Sequence, residues 1–106
     1  MARFLIQAAY SAAGVRGLLK EGGSSRRAAV AKAVAGMGGT LESFDCAFGG
    51  VDVFAIIDMP DAVSAAATSM AINSTGLVST TVTPLLTPEE IDKAAKKSVK
   101  YRAPGK

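Results

Sequence analysis

Two segments of the 106-residue chain are apolar at nearly every position, and they constrain its fold more than any other feature. They are residues 3–10 (RFLIQAAY) and residues 51–58 (VDVFAIID). A strand that is apolar on both faces is typical of the interior of a sheet, where both faces are covered. We therefore predict that these two segments are the central strands of one sheet.

Two further strands are predicted over residues 40–48 and 77–85. Along the first of these, alternation places Phe44, Cys46 and Phe48 on one face and Leu41, Ser43, Asp45 and Ala47 on the other. The glycine pair 49–50 predicts a two-residue hairpin turn into the next strand, because both positions accept positive φ. The sheet would then contain four strands.

Helix signals occupy the intervals between the strands. The predicted helix starts are Ser11, Ser24 or Ser25, Asp58 or Asp61, and Thr87, which opens a capping box with Pro88 and Glu90. The resulting order is β-α-β-β-α-β with an added C-terminal helix, which is the ferredoxin-like α+β arrangement. We predict a single domain over residues 1–100 and a basic tail over 101–106.

One face of this sheet is expected to pack on the two main helices, whereas the other face would be open. The open face would carry Leu5, Ala9, Phe54 and Ile56. An apolar face of this size is rarely left exposed in a monomer, so we predict that a second copy covers it in a homodimer or a multiple of one. The last helix is expected to turn Ile91, Ala94, Ala95 and Val99 inward.

The composition excludes several classes of site. The chain has no histidine, which excludes a Ser-His-Asp triad and any metal site that needs an imidazole. The single cysteine, Cys46, cannot form an internal disulfide and is predicted to be a small buried strand residue. No cofactor is expected. No metal site is expected either, since Asp45 and Asp52 lie on opposite predicted faces.

The charge pattern indicates a cytoplasmic protein that does not bind nucleic acid or a membrane. The net charge is +3, but six cationic side chains and no acid follow Asp92, so the basicity belongs to the C-terminal end. The apolar stretch 51–72 is interrupted by aspartates and a proline, which a membrane span would not accept.

Five segments resemble the GYD domain family. They are residues 17–24 (GLLKEGGS), 26–30 (RRAAV), 48–53 (FGGVDV), 63–67 (VSAAA) and 85–90 (LLTPEE). The resemblance implies a dimeric α+β barrel, and it implies the fold more than an activity. The family's Gly-x-Tyr-Asp segment reads Gly49-Gly50-Val51-Asp52 here. Valine replaces the tyrosine at position 51, so this chain lacks the side chain for any chemistry that depends on that tyrosine.

The candidate site residues lie on three strands. Asp52 follows the glycine turn, where it serves either as a general base among apolar neighbours or as an acceptor of backbone N–H groups that fixes the hairpin. Gln7, Tyr10, Phe54 and Thr81 are predicted to bind a ligand, and Thr83 lies near them. The run 22–27 (GGSSRR) could bind an anion at the start of a helix, but the favoured interpretation is a capped loop–helix junction with solvated arginines.

The sequence supports a leading function and two alternatives. The leading hypothesis is a homo-oligomeric domain that binds a small, largely apolar ligand between its sheets. The first alternative is a cofactor-free enzyme that uses Asp52 as its base. The second is a structural protein whose open face serves only for self-assembly. The sequence does not identify the ligand.

Overall fold

The strands and helices follow the predicted order. The computed structural model describes residues 1–47 and 49–106. Its elements are β1 (Ala2–Tyr10), α1 (Ala12–Glu21), α2 (Gly23–Gly36), β2 (Thr40–Cys46), β3 (Val53–Met59), α3 (Ala62–Asn73), β4 (Val78–Leu85) and α4 (Pro88–Ala95). Within the described part of the chain, no helix is long and apolar enough to cross a bilayer.

The four strands form one antiparallel sheet in the order β2-β3-β1-β4. The two most apolar segments are therefore central, which confirms the prediction and agrees with a ferredoxin-like α+β fold. Helix α2 packs on β2 and helix α3 packs on β4. The central strands consequently lie beneath the space between these two helices.

Strand β3 shows which face of the sheet is covered. Val53, Ala55 and Ile57 are buried against the helices, whereas Phe54 is 41% exposed on the other face. This alternation is the one that the sequence predicts. The buried residues form two apolar clusters, one around Phe4 and Ile57 and one around Ala8 and Ala55.

Strand β2 departs from the predicted alternation. Leu41 pairs with Ile57 and Ser43 with Ile56, so a β-bulge adds one residue to β2 between them. Leu41 therefore packs into the core on the same face as Phe44, and its predicted placement on the opposite face is wrong. Phe48, the predicted end of this strand, lies outside the described residues.

The connection from β2 to β3 is longer than the predicted two-residue turn. The amide of Ala47 donates to the carbonyl of Asp52 at 2.8 Å, which closes the loop. Within this loop Gly49 has a φ of 128°, a conformation that favours glycine.

At the opposite edge of the sheet, strand β4 contains Pro84, which pairs with Phe4 of β1.

Three of the predicted helix starts are confirmed by hydrogen bonds. The side chains of Ser11 and Asp61 accept from the amides three residues on, and Thr87 forms the full capping box with Glu90. Helix α2 differs. Its cap is Gly22, with a φ of 88°, rather than Ser24 or Ser25, because that single residue separates it from α1.

The C-terminal helix projects from the body of the protein. Every residue of α4 is exposed, and Val99 is 80% exposed, so the predicted inward packing of Ile91, Ala94, Ala95 and Val99 is wrong. The radius of gyration is 16.8 Å, compared with about 13 Å for a compact chain of 100 residues. We call residues 86–106 the C-terminal arm; nearly all of them are exposed.

Candidate functional site

Three of the predicted ligand-binding residues form one row across the open face of the sheet. Gln7 on β1 pairs with Phe54 on β3 and with Thr81 on β4. Thr83 lies in a neighbouring row, opposite Leu5. Residues paired across antiparallel strands share a face, so the structure brings Gln7, Phe54 and Thr81 together.

Tyr10 lies on the opposite face from Gln7. It pairs with Val78, and its ring approaches α1 near Gly14. Tyr10 is three residues from Gln7, and strand side chains alternate, so the two cannot share a face. A ligand on the open face would therefore not contact the Tyr10 side chain.

Asp52 lies at the point where β3 begins. Its Oδ2 accepts a hydrogen bond from the backbone amide of Tyr10 at 2.8 Å, and its own amide donates to the carbonyl of Ala8 at 2.8 Å. These bonds match the structural alternative that the sequence left open, in which Asp52 fixes the strand end. Its service as a general base stays a prediction.

A small, largely apolar cavity lies on the helix side of the sheet. This cavity has a volume of about 50 Å³ and sits between the central strands below and helices α2 and α3 above. Small side chains create it, because Ala8 and Ala55 form part of the floor and Ala65 part of the wall. Val30 and Val34 of α2 close the opposite wall.

One wall of the cavity is polar. Thr80 Oγ1 donates to Asn73 Oδ1 at 2.9 Å, and Ser69 Oγ lies 2.6 Å from Thr80 Oγ1. A hydroxyl has one proton to give, so Ser69 must donate to Thr80. The remaining lone pairs of the Ser69 oxygen can accept a hydrogen bond from a molecule in the cavity.

Arg26 also lines the cavity and is its cationic residue. Its guanidinium Nη1 donates to Glu21 Oε1 at 3.3 Å, and its side chain is 30% exposed. The helix-junction hypothesis treated Arg26 and Arg27 alike as solvated arginines. The structure separates them, because Arg27 faces a different surface depression beside Cys46.

Cys46 is exposed, so its prediction as a buried strand residue is wrong. It is the last residue of β2, an edge strand, and it lies beside the start of α2, where little covers it. Among residues 1–47 and 49–106, no group of three or more acids or cysteines is arranged to hold a metal ion.

The sequence reasoning missed Arg26, Ser69 and Thr80. Each of them carries a signal in the sequence. Arg26 precedes Val30 and Val34 by four and eight residues, and Ser69 follows Ala65 by four, which puts each polar residue on the buried face of its helix. Thr80 alternates with Val78 and Val82, which puts it on the more buried face of β4.

The comparisons with known proteins bear on the family alone. The family model described as GYD domain matches residues 4–95, which is most of the chain. No curated protein and no solved structure matches this chain.

Proposed function

The chain belongs to the GYD domain family, and on that premise we propose that it binds a small, largely apolar molecule in the cavity between the sheet and helices α2 and α3. The cavity itself carries this proposal. An empty apolar space of about 50 Å³ costs about 1 kcal/mol of stability. The small side chains of Ala8 and Ala55 keep this space open.

The polar wall supports binding rather than simple packing. Ligand pockets are mostly apolar and contain a few polar groups that orient the ligand. Here the apolar lining comes from the floor and from the valines of α2. The polar groups that can orient a ligand are those of Ser69, Thr80 and Arg26. The location differs from the one that the sequence predicts. That prediction puts the ligand between two sheets, which requires a second copy of the chain, whereas this cavity is formed by one chain.

Two neighbouring alanines of α3 allow a matched test. Ala65 is 1% exposed and lines the cavity, whereas Ala66 is exposed. We expect native mass spectrometry of protein from its own source to detect a bound small molecule. Calorimetry should detect binding of 1-octanol. Ala65→Leu should abolish both signals and Ala66→Leu should retain both.

Ala55→Val provides a second cavity-filling variant if Ala65→Leu does not fold. A protein that carries no small molecule and does not bind 1-octanol would contradict the proposed function. Unchanged octanol binding by a folded cavity-filling variant would contradict the location.

The open face supports a second copy of the chain as partner. Leu5, Phe54 and Ile56 lie on it together. A covering surface would remove this apolar area from water. A second copy offers the same apolar centre in a symmetric pair.

This pairing is also testable with a matched pair of variants. Phe54→Lys places a charge on the open face, whereas Val63→Lys places the same charge at an apolar residue of α3 that is 79% exposed. We expect light scattering to show a dimer for the wild type and for Val63→Lys, and a monomer for Phe54→Lys. A monomeric wild type at micromolar concentration would contradict the pairing.

A further inference from the structure

The apolar cavity adjoins a second space in the protein. A second space of about 220 Å³ lies beneath α1 and is lined in part by Gly14, Gly17 and Leu18 of that helix. We call it the α1 groove. The cavity and the α1 groove share four lining residues, namely Tyr10, Arg26, Ile72 and Val78. A molecule that extends from one space into the other must pass these four side chains.

The size of the cavity limits what can enter it. At about 50 Å³ it is smaller than the cavity of about 150 Å³ that holds benzene in another protein. Only a slim apolar end of a ligand fits there, and the remainder must lie in the α1 groove. The ligand is therefore elongated, with its far end in the α1 groove, which Arg26 and Glu21 both line.

The junction between the two spaces carries a positive charge that is only weakly paired. Arg26 makes one hydrogen bond to Glu21, and at 3.3 Å it is long for a bond between charged groups. A guanidinium has five N–H donors, so most of its donors remain for another acceptor. Partly exposed ion pairs of this kind contribute about 1 kcal/mol or less, so a competing anion displaces Glu21 at little cost.

From these contacts we infer that the ligand is an amphiphilic monoanion, with a slim apolar tail in the cavity and an anionic head on Arg26 in place of the Glu21 carboxylate. This inference rests on the ligand-binding function proposed above. The Glu21 carboxylate already occupies the position of the head, so a carboxylate is the head group that the site accommodates. A neutral molecule of the same shape would leave the Arg26–Glu21 pair in place.

Octanoate and 1-octanol test the inference, because they share a chain length and differ in the head group. We expect calorimetry to show severalfold tighter binding of octanoate, which is the size of effect that a partly exposed ion pair gives. Arg26→Gln should remove this preference without abolishing octanol binding. Glu21→Gln should tighten octanoate binding severalfold, since the competitor for Arg26 is gone.

Arg27→Gln is the matched control, because it removes the same charge from the same helix beside a different depression. It should keep the preference for octanoate. Equal affinity for octanoate and octanol in the wild type would overturn the anionic head while leaving the proposed function intact. Loss of the preference in Arg27→Gln as well as Arg26→Gln would overturn the assignment to Arg26. Failure to bind either molecule would overturn the proposed function itself.

Discussion

At Asp52 a side-chain carboxylate provides a hydrogen bond that a strand partner would otherwise provide. The pairing of β1 with β3 ends at Ala8 and Val53, yet the amide of Tyr10, two residues on, still has an acceptor in Asp52 Oδ2. A buried or half-buried amide without an acceptor is costly, so this residue extends the sheet beyond its last backbone pair. The bond also positions the strand end that carries Tyr10 into the cavity wall.

Asp52→Ala is expected to lower the free energy of unfolding by about 1.5–3 kcal/mol, since the bond to a charged acceptor is lost and the Tyr10 amide is left unpaired. Asp52→Asn should cost less, because an amide oxygen still accepts from that N–H. Urea denaturation followed by circular dichroism measures both values. Equal losses in the two variants would show that the charge matters and the hydrogen bond does not.

Asp61 makes one contribution to stability dependent on pH. The backbone amide of Ser64 donates to its carboxylate, and the Ser64 side chain assists, which lowers the pKa of Asp61 from its ordinary value. A pKa lowered by folding means that the ionised group stabilises the native state at neutral pH. That contribution is lost as the pH falls below about 4, through the folded-state pKa.

Asp61→Asn retains a capping oxygen without the charge. We therefore expect the wild type to have the higher thermal midpoint at pH 6, and the difference to shrink at pH 3. Differential scanning calorimetry at the two pH values measures this. A difference that stays constant between them would contradict the role of the Asp61 charge.

At the scale of elements, local signals predicted most of the fold. Some features depend only on residues that are neighbours in the sequence, so they can be predicted from it. They are the two strands that are apolar on both faces, the glycines that end helices, and the helix caps at Ser11, Asp61 and Thr87. The bulge between Leu41 and Ser43 cannot be predicted in this way, because it arises from how β2 pairs with β3. The position of α4 likewise depends on whether a surface is available for its apolar residues.

The candidate site was less predictable than the fold for a similar reason. Alternation correctly grouped Gln7, Phe54 and Thr81, because strand geometry alone decides which residues share a face. The cavity instead comes from the separation of α2 and α3 over small residues on β1 and β3. That separation is a tertiary property, and it unites Arg26 with Ser69 although 43 positions separate them in the sequence.

The seating of α1 depends on Gly14. A Cβ added there would collide with the carbonyl oxygen of Leu77 and approach Cδ1 of Tyr10 to 3.2 Å. Gly14→Ala is therefore expected to push α1 outward and to destabilise the protein by about 1–3 kcal/mol. Gly17→Ala is the control, because nothing lies within 4 Å of its added Cβ.

In Gly17→Ala the better helix former should stabilise the protein by up to about 1 kcal/mol. Chemical denaturation of both variants gives the comparison. A neutral or stabilising Gly14→Ala would show that α1 does not depend on this close approach, and that the α1 groove has a looser roof than the structure indicates.

At the scale of the whole molecule, the C-terminal arm differs from the body in how little of it is buried. All residues from Pro88 to Lys106 are exposed, and local capping at Thr87 and Glu90 holds α4 rather than burial. We expect removal of residues 100–106 to change the free energy of unfolding by less than about 0.5 kcal/mol. Urea denaturation of the shortened chain checks this, and a larger loss would show that the arm packs on another surface.

The two edges of the sheet determine how the protein can polymerise. The bulge in β2 interrupts the regular spacing of backbone groups on one edge, and Pro84 deprives β4 of an amide on the other. Both features hinder a further strand from joining, and strand-by-strand addition is how fibrils grow. The pairing proposed above, through the open face, would end after two chains and would not extend into a filament.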